Sequence, residues 1–244
     1  MEVTANIRWG LVLAAGALLA ACSGEKVTTK SSHELPRYQV RSIAIVPLTS
    51  ITTPQVRELT DPYLSTPQSV RRSDITVGMP SSVEPPPRRT ATVPDYAADK
   101  ITQLLWARLR SKEGLQVLPP GEAAKAGPAT GEVAKATPEA NGAVIAKRLK
   151  VDAVLIGQVL VFQERVGSRL GASPPAAVGF EVKAVAADGQ VLWVGNYYER
   201  QRPINEDFKG FLQRGLGFVT ADELARYGVE EMLKAFPFGT GGTP

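Results

Sequence analysis

Residues 146–159 read Ala146-Lys147-Arg148-Leu149-Lys150-Val151-Asp152-Ala153-Val154-Leu155-Ile156-Gly157-Gln158-Val159. The first part closes a helical pattern. Thr137 stands where an N-cap is wanted, Pro138 occupies the first helical position, and Val144, Ile145 and Leu149 share one face. From Val151 the pattern changes to a dense apolar run that extends to about Phe162, which predicts a central strand. A helix feeding directly into a central strand points to an α/β domain.

The flanking segments extend the same alternation. Upstream, Arg41-Ser42-Ile43-Ala44-Ile45-Val46-Pro47-Leu48 is a short continuous apolar run closed by proline, the pattern of a buried strand. Ile101, Leu104, Leu105 and Leu109 recur at helical spacing and predict an amphipathic helix over 95–111. Leu115-Gln116-Val117-Leu118 is a second short strand stopped by Pro119-Pro120, and 121–137 has weak helical character at most. Phe180, Val182 and Ala184 alternate into a further strand, Asp188-Gly189 predicts a hairpin turn, and Val191 to Tyr198 returns as its partner. Helices are expected near 205–213 and over 221–235. The second carries a capping box, Thr220 with Glu223, and ends before Pro237. The expected fold is one domain, 41–237, with a mixed, partly parallel and partly antiparallel sheet of about five strands and flanking helices.

Two segments fall outside this pattern. Residues 22–40 are polar without an apolar period and read as a flexible, disordered tether; 238–244 read as a flexible tail. Residues 49–93 are rich in Pro, Thr, Ser and Arg and read as a long loop insertion. Arg71, Arg72, Arg88 and Arg89 supply charge there, and Pro85-Pro86-Pro87 supplies a stiff extended peptide. Contact with a partner and a passive insertion are both open readings.

The amino-terminal end is the most specific signal. Arg8 precedes an apolar run from Trp9 to Ala21, shorter than the ~20 residues of a spanning helix, and polar residues follow at once. Residues 1–21 are therefore expected to be a secretory signal. Its exit, Leu19-Ala20-Ala21-Cys22, resembles the lipobox of bacterial lipoproteins. The resemblance implies diacylation of Cys22, cleavage before it and acylation of the new amine, which holds the chain to the membrane by lipid. Ser23 after the cysteine points to the periplasmic face of the outer membrane.

Composition narrows the chemistry. Cys22 is the only cysteine and His33 the only histidine, so an internal disulfide, Ser/His/Asp or Cys/His catalysis and an ordinary zinc site are hard to assemble. No metal and no cofactor are expected. A net charge of +4 is carried by scattered basic residues with no aromatic-interleaved basic motif, which argues against nucleic acid.

The strand Ile43–Leu48, the helix before Leu115-Gln116-Val117 and above all residues 146–159 resemble a set of envelope proteins. It includes the curli-secretion lipoprotein family, the lipoprotein activators of peptidoglycan synthases and the amino-terminal domain of the TolB translocation protein. Asp188-Gly189-Gln190-Val191-Leu192-Trp193 and Tyr198-Glu199-Arg200-Gln201-Arg202-Pro203 resemble lipoproteins of unassigned function. The likeness spans most of 41–237 apart from the insertion. It implies an α/β fold and a non-enzymatic binding, assembly or regulatory module of envelope machinery, with an envelope protein or a second copy of the chain as partner. The segment 49–93 lacks the alternation of a membrane β-hairpin, which argues against a pore.

The alternative is a carboxylate-dependent hydrolase of wall or surface polysaccharide. Its candidate acids are Asp152, Glu181, Glu199, Glu206 and Asp207, and it requires two of them to meet across a cleft. Asp152 is expected near a strand start, and Glu199 with Arg200 and Arg202 in a surface ion-pair cluster. Trp193 is expected to pack the sheet, with Tyr197 or Tyr198 on the other face available to a partner.

Overall fold

The computed structural model describes residues 26–53, 55–56, 90–127 and 136–239. The predicted signal peptide, Cys22 and most of the insertion lie outside the described residues. The architecture is mixed α/β, built on a single mixed sheet.

The decisive stretch folds as expected. Helix α3 (Pro138–Leu149) starts with Thr137 accepting the Ala140 N–H at 3.2 Å. It ends with Lys150 in the left-handed region (φ 55°), and the N–H of Val151 reaches back to the Ala146 carbonyl at 3.1 Å. Glycine is the usual residue at such a position. Strand β7 (Ala153–Gln163) then runs through the middle of the sheet.

Among the described residues seven strands make the sheet, two more than expected. Across it the order is β1 (Val27–Ser31), β9 (Val191–Arg200), β8 (Ala177–Ala186), β7, β2 (Ser42–Ile45) and β6 (Gln116–Leu118), with β3 (Thr49–Ser50) also pairing with β7. Strand β2 lies parallel to β6 and β7, whereas β7, β8, β9 and β1 are antiparallel. The predicted Asp188-Gly189 turn joins β8 to β9, with Gly189 at φ 96°.

The two extra strands correct two expectations. Residues 26–40 are not a tether throughout. Five residues pair with β9 as β1, and Leu35–Arg37 form a 3-10 turn. The insertion is likewise ordered at its ends, because β3 joins β7 and a two-stranded ribbon, β4 (Gln55–Val56) with β5 (Thr90–Ala91), brackets the rest. Short edge strands satisfy their backbone groups through the ladder and need no apolar run, so they leave little trace in composition. The tail is also shorter than expected. Phe238 is buried and stacks edge-on to Phe236 with ring centroids 5.2 Å apart.

Alternation along β7 divides the core. Ala153, Leu155 and Val159 join Ile43, Phe180 and Trp193 beneath α1 (Asp95–Leu109) and α5 (Ala221–Lys234), whose Ile101, Leu105, Leu224, Val229 and Met232 complete that layer. Val154 and Ile156 turn to the other face, against Ala123 of α2 (Pro120–Lys125) and Ile145 and Ala146 of α3. Helices thus cover both faces. A bulge at Leu160 resets the alternation and returns Phe162 to the first layer. Thr102, inside α1, accepts the Leu48 N–H at 3.0 Å and ties the chain after β2 to that helix.

Candidate functional site

The strands β7, β8 and β9 share one end, at Gln163, Ala177 and Arg200, where β1 enters opposite Tyr197. The hairpin turn at Asp188-Gly189 marks the other end. The entry end is closed by a loop over 164–176 and by 201–219, which contains α4 (Phe208–Gln213).

Four charged side chains meet there. Lys26, the residue before β1, places Nζ 3.1 Å from Glu199 Oε1 and 2.8 Å from Asp207 Oδ2. Arg214 pairs with the same two carboxylates, at 3.1 Å from Asp207 and in closer contact with Glu199. Tyr197 donates its phenol to Glu199 Oε2 at 2.7 Å. The side chains of Glu199 and Arg214 are each only 2 % exposed, so that pair is neutralised almost out of reach of water, with Asp207 and Lys26 on the partly exposed side of the cluster.

Local structure holds the acids in place. Asp207 caps α4 by accepting the Gly210 N–H at 2.8 Å. Burial pushes its carboxyl up, but the bonds from Lys26, Gly210 and Arg214 outweigh that and hold it down at about 2. A Cβ on Gly210 would stand 2.1 Å from Asp207 Oδ2 and 2.5 Å from both Lys26 Nζ and an Arg214 nitrogen, so a larger residue there would displace the charged ends from their present positions. Burial, followed by the neighbouring Glu199, pushes the Tyr197 phenol well above its ordinary value.

The remaining candidate acids stay apart. Asp152 accepts from the Arg41 and Ser42 N–H groups at 2.9 and 2.8 Å and from the Ser42 hydroxyl at 2.7 Å, at the start of β7. Burial raises its carboxyl, and these bonds bring it below the ordinary range. Glu181 pairs with Lys183 at 3.2 Å, and Lys183 also reaches Glu139 at 2.9 Å. Glu206 is exposed. Thus Glu199 and Asp207 are the two that come together; Glu199 Oε1 and Asp207 Oδ2 are shared by Lys26 and Arg214, while Glu199 Oε2 accepts from Tyr197 and Asp207 Oδ1 from the Gly210 N–H.

Two expectations are corrected here. Glu199 is not part of a surface cluster with Arg200 and Arg202; it points inward to Arg214. Tyr197 shares the parity of Trp193 in β9, so it is buried in the same core layer and is not on the opposite face. Tyr198 is 58 % exposed and covers Gly179 of β8. Arg71, Arg72, Arg88, Arg89, Leu19, Ala20, Ala21 and Cys22 lie outside the described residues. Lys26 and Arg214 were missed by the sequence reading. The β-branched run Val27-Thr28-Thr29 was the available sign that Lys26 adjoins a strand.

Open grooves among the described residues lie elsewhere. One of about 680 Å³ runs between the 3-10 turn, α3 and the hairpin, lined by Glu34, Tyr38, Glu139, Lys147 and Asp188. Another, about 500 Å³, lies between β3 and the start of α1, with Asp95 and Asp99 on its wall. Among the described residues no group of three or more His, Cys, Asp or Glu side chains is placed to hold a metal ion. None of the described helices is long and apolar enough to cross a membrane.

No protein-family model and no curated protein matches the chain. Solved structures similar to it include the PelC dodecamer from Paraburkholderia phytofirmans, at 13 % identity and a TM-score of 0.43 over 85 % of this chain and 93 % of that one. The LpoB C-terminal domain from Escherichia coli is similar at 9 % identity and a TM-score of 0.33, over 76 % of this chain and 94 % of that one. Lipoprotein GNA1162 from Neisseria meningitidis is similar at 14 % identity and a TM-score of 0.32, over 70 % and 92 %.

Proposed function

We propose that the chain is a lipid-anchored protein of the bacterial envelope, held by Cys22 to the periplasmic face of the outer membrane, and that it works by binding and not by catalysis. In this reading it assembles or regulates envelope machinery. The observation that carries the non-catalytic part is the cluster of Lys26, Glu199, Asp207 and Arg214. A glycosidase needs one carboxyl free to give a proton and another facing substrate or water. The two candidate acids that meet in this fold are instead each paired with Lys26 and Arg214, Glu199 buried and Asp207 partly so. The anchor rests on the order of charge, apolar run, Leu19-Ala20-Ala21-Cys22 and polar continuation.

Partner contact falls to the insertion, where Arg71, Arg72, Arg88 and Arg89 supply charge, and to the exposed Tyr198. The ordered ribbon of β4 and β5 allows a clean excision, with residues 57–89 replaced by a short Gly/Ser linker. The readouts are labelled-palmitate incorporation, thermal unfolding and crosslinking in intact cells. Wild type should take up palmitate and Cys22→Ser should not. The excised protein should unfold at the wild-type temperature and capture less partner. Equal palmitate labelling of both proteins would remove the anchor, and unchanged capture would remove the role of the insertion.

A further inference from the structure

The same end of the sheet carries an unusual share of exposed apolar side chains. Val166 and Leu170 project from the loop over 164–176, and Ile204, Phe208, Leu212 and Leu216 from the loop over 201–219. Leu170 is 93 % exposed and Phe208 65 %. The two loops are bound together: the Phe218 N–H donates to the Arg169 carbonyl at 2.8 Å, and the Arg169 guanidinium donates to the Gly215 carbonyl at 3.3 Å. Leu216 also sits at φ 58°, in the left-handed region. A branched apolar residue held there and turned to solvent is costly twice, in backbone conformation and in hydration. Six exposed apolar side chains on two mutually bonded loops at one end of the sheet, rather than scattered singly, mark an interaction site.

The covalent chain identifies what covers it. Lys26 is bonded into the cluster at this end, and Tyr198 N–H donates to the Lys26 carbonyl at 3.0 Å. Three residues, Ser23, Gly24 and Glu25, separate Lys26 from Cys22. Even fully extended, that length spans at most ~14 Å. The opposite end, at the hairpin turn, is about 30 Å further along strands of ten residues. Lipid on Cys22 therefore brings this end, and not the hairpin end, to the bilayer.

We propose that the two loops form a bilayer-facing surface, with Leu170, Phe208, Leu212 and Leu216 seated among the headgroups and upper acyl chains of the membrane that holds Cys22. The inference rests on the anchored reading given above. It fixes the orientation of the domain: the groove beside Tyr38 and Asp188 faces away from the membrane, toward the periplasm. The apolar loops add their own affinity to that of the lipid.

Cys22 is the only cysteine, so once it is acylated a second cysteine can be labelled alone. Leu170→Cys, Leu212→Cys and Gln190→Cys proteins, expressed full length and purified in processed form, are labelled with an environment-sensitive fluorophore. They are reconstituted into phosphatidylethanolamine/phosphatidylglycerol vesicles containing doxyl-labelled lipid, and palmitate incorporation is measured on the same preparations. Quenching at 170 and 212 at least threefold stronger than at 190, in the hairpin, is the expected result. Equal quenching at all three positions in palmitate-bearing protein overturns the inference and leaves the anchor standing. A blue-shifted but unquenched probe at 170 or 212 also overturns it, because a protein surface then covers the loops. Protein that takes up no palmitate overturns the anchored reading and this inference with it.

Discussion

The ring of Tyr197 packs against Gly228 of α5 so closely that a Cβ at 228 would stand 2.3 Å from its Cε1. Tyr197 is thereby fixed between sheet and helix, with its phenol aimed at Glu199. Gly228→Ala forces the ring or the helix to move and should cost about 1–3 kcal/mol, the usual range for an overpacked core. Tyr197→Phe keeps the packing, removes one buried hydrogen bond and should cost about 1–2 kcal/mol. Chemical denaturation of the two variants separates them. A neutral Gly228→Ala would mean that helix and sheet are not held at this spacing.

The ion cluster should behave as one unit. Glu199→Gln leaves Lys26 and Arg214 sharing the single charge of Asp207 and should destabilise the fold by about 3–5 kcal/mol. Adding Arg214→Met removes the surplus cation, so the double variant should be at least ~1 kcal/mol more stable than the sum of the single effects predicts. Additive losses in the cycle would mean that the two groups do not interact in solution.

Asp207 links stability to acidity. Its carboxyl is held at about 2 in the fold, against an ordinary 3.8. A depressed value means that the unfolded chain takes up the proton first. The stabilisation from Asp207 is then complete above the ordinary value, declines as the pH falls below it, and is lost as the pH passes through about 2. Between pH 5 and pH 2 the wild type should lose more stability than Asp207→Asn does. Parallel unfolding curves over that window would exclude the linkage.

Lys150 carries a left-handed conformation that glycine adopts at no steric cost. It is exposed and ends α3 at the hinge of the quoted stretch. Lys150→Gly should raise stability by about 0.5–1 kcal/mol, whereas Lys150→Val should lower it. A thermal melt of the three proteins decides the matter, and a Gly variant less stable than wild type would contradict the assignment.

What the sequence revealed and what it concealed follow from the kind of contact involved. Strand β7 was legible because its residues pack into helices on both faces, which requires a continuous apolar run. Thr137 and Thr220 were legible because caps act within four residues, and both form, the second as a full capping box. The β8–β9 turn was legible because Gly189 alone suits its backbone. Strand β1 was not, since VTTKS at a sheet edge is held by ladder bonds to β9 with three of its five residues exposed. Nor was the ion cluster, whose Lys26 and Asp207 lie 181 positions apart. The misplacement of Tyr197 was avoidable, because counting by twos from Trp193 puts it inward.

Strand β1 also decides how the molecule bears tension. It is an edge strand whose amino end points out of the sheet at Lys26, and it runs antiparallel to β9 through a five-residue register. A pull on the chain ahead of Lys26, resisted at the hairpin end, acts along the strand and loads those ladder bonds together instead of opening them one by one. The first point to feel the load is Lys26, which is riveted to Glu199 and Asp207. Traction between a membrane and a bound partner would therefore meet a shear-loaded joint, and Lys26→Ala should lower the force at which β1 tears away while leaving the rest of the sheet as strong as before.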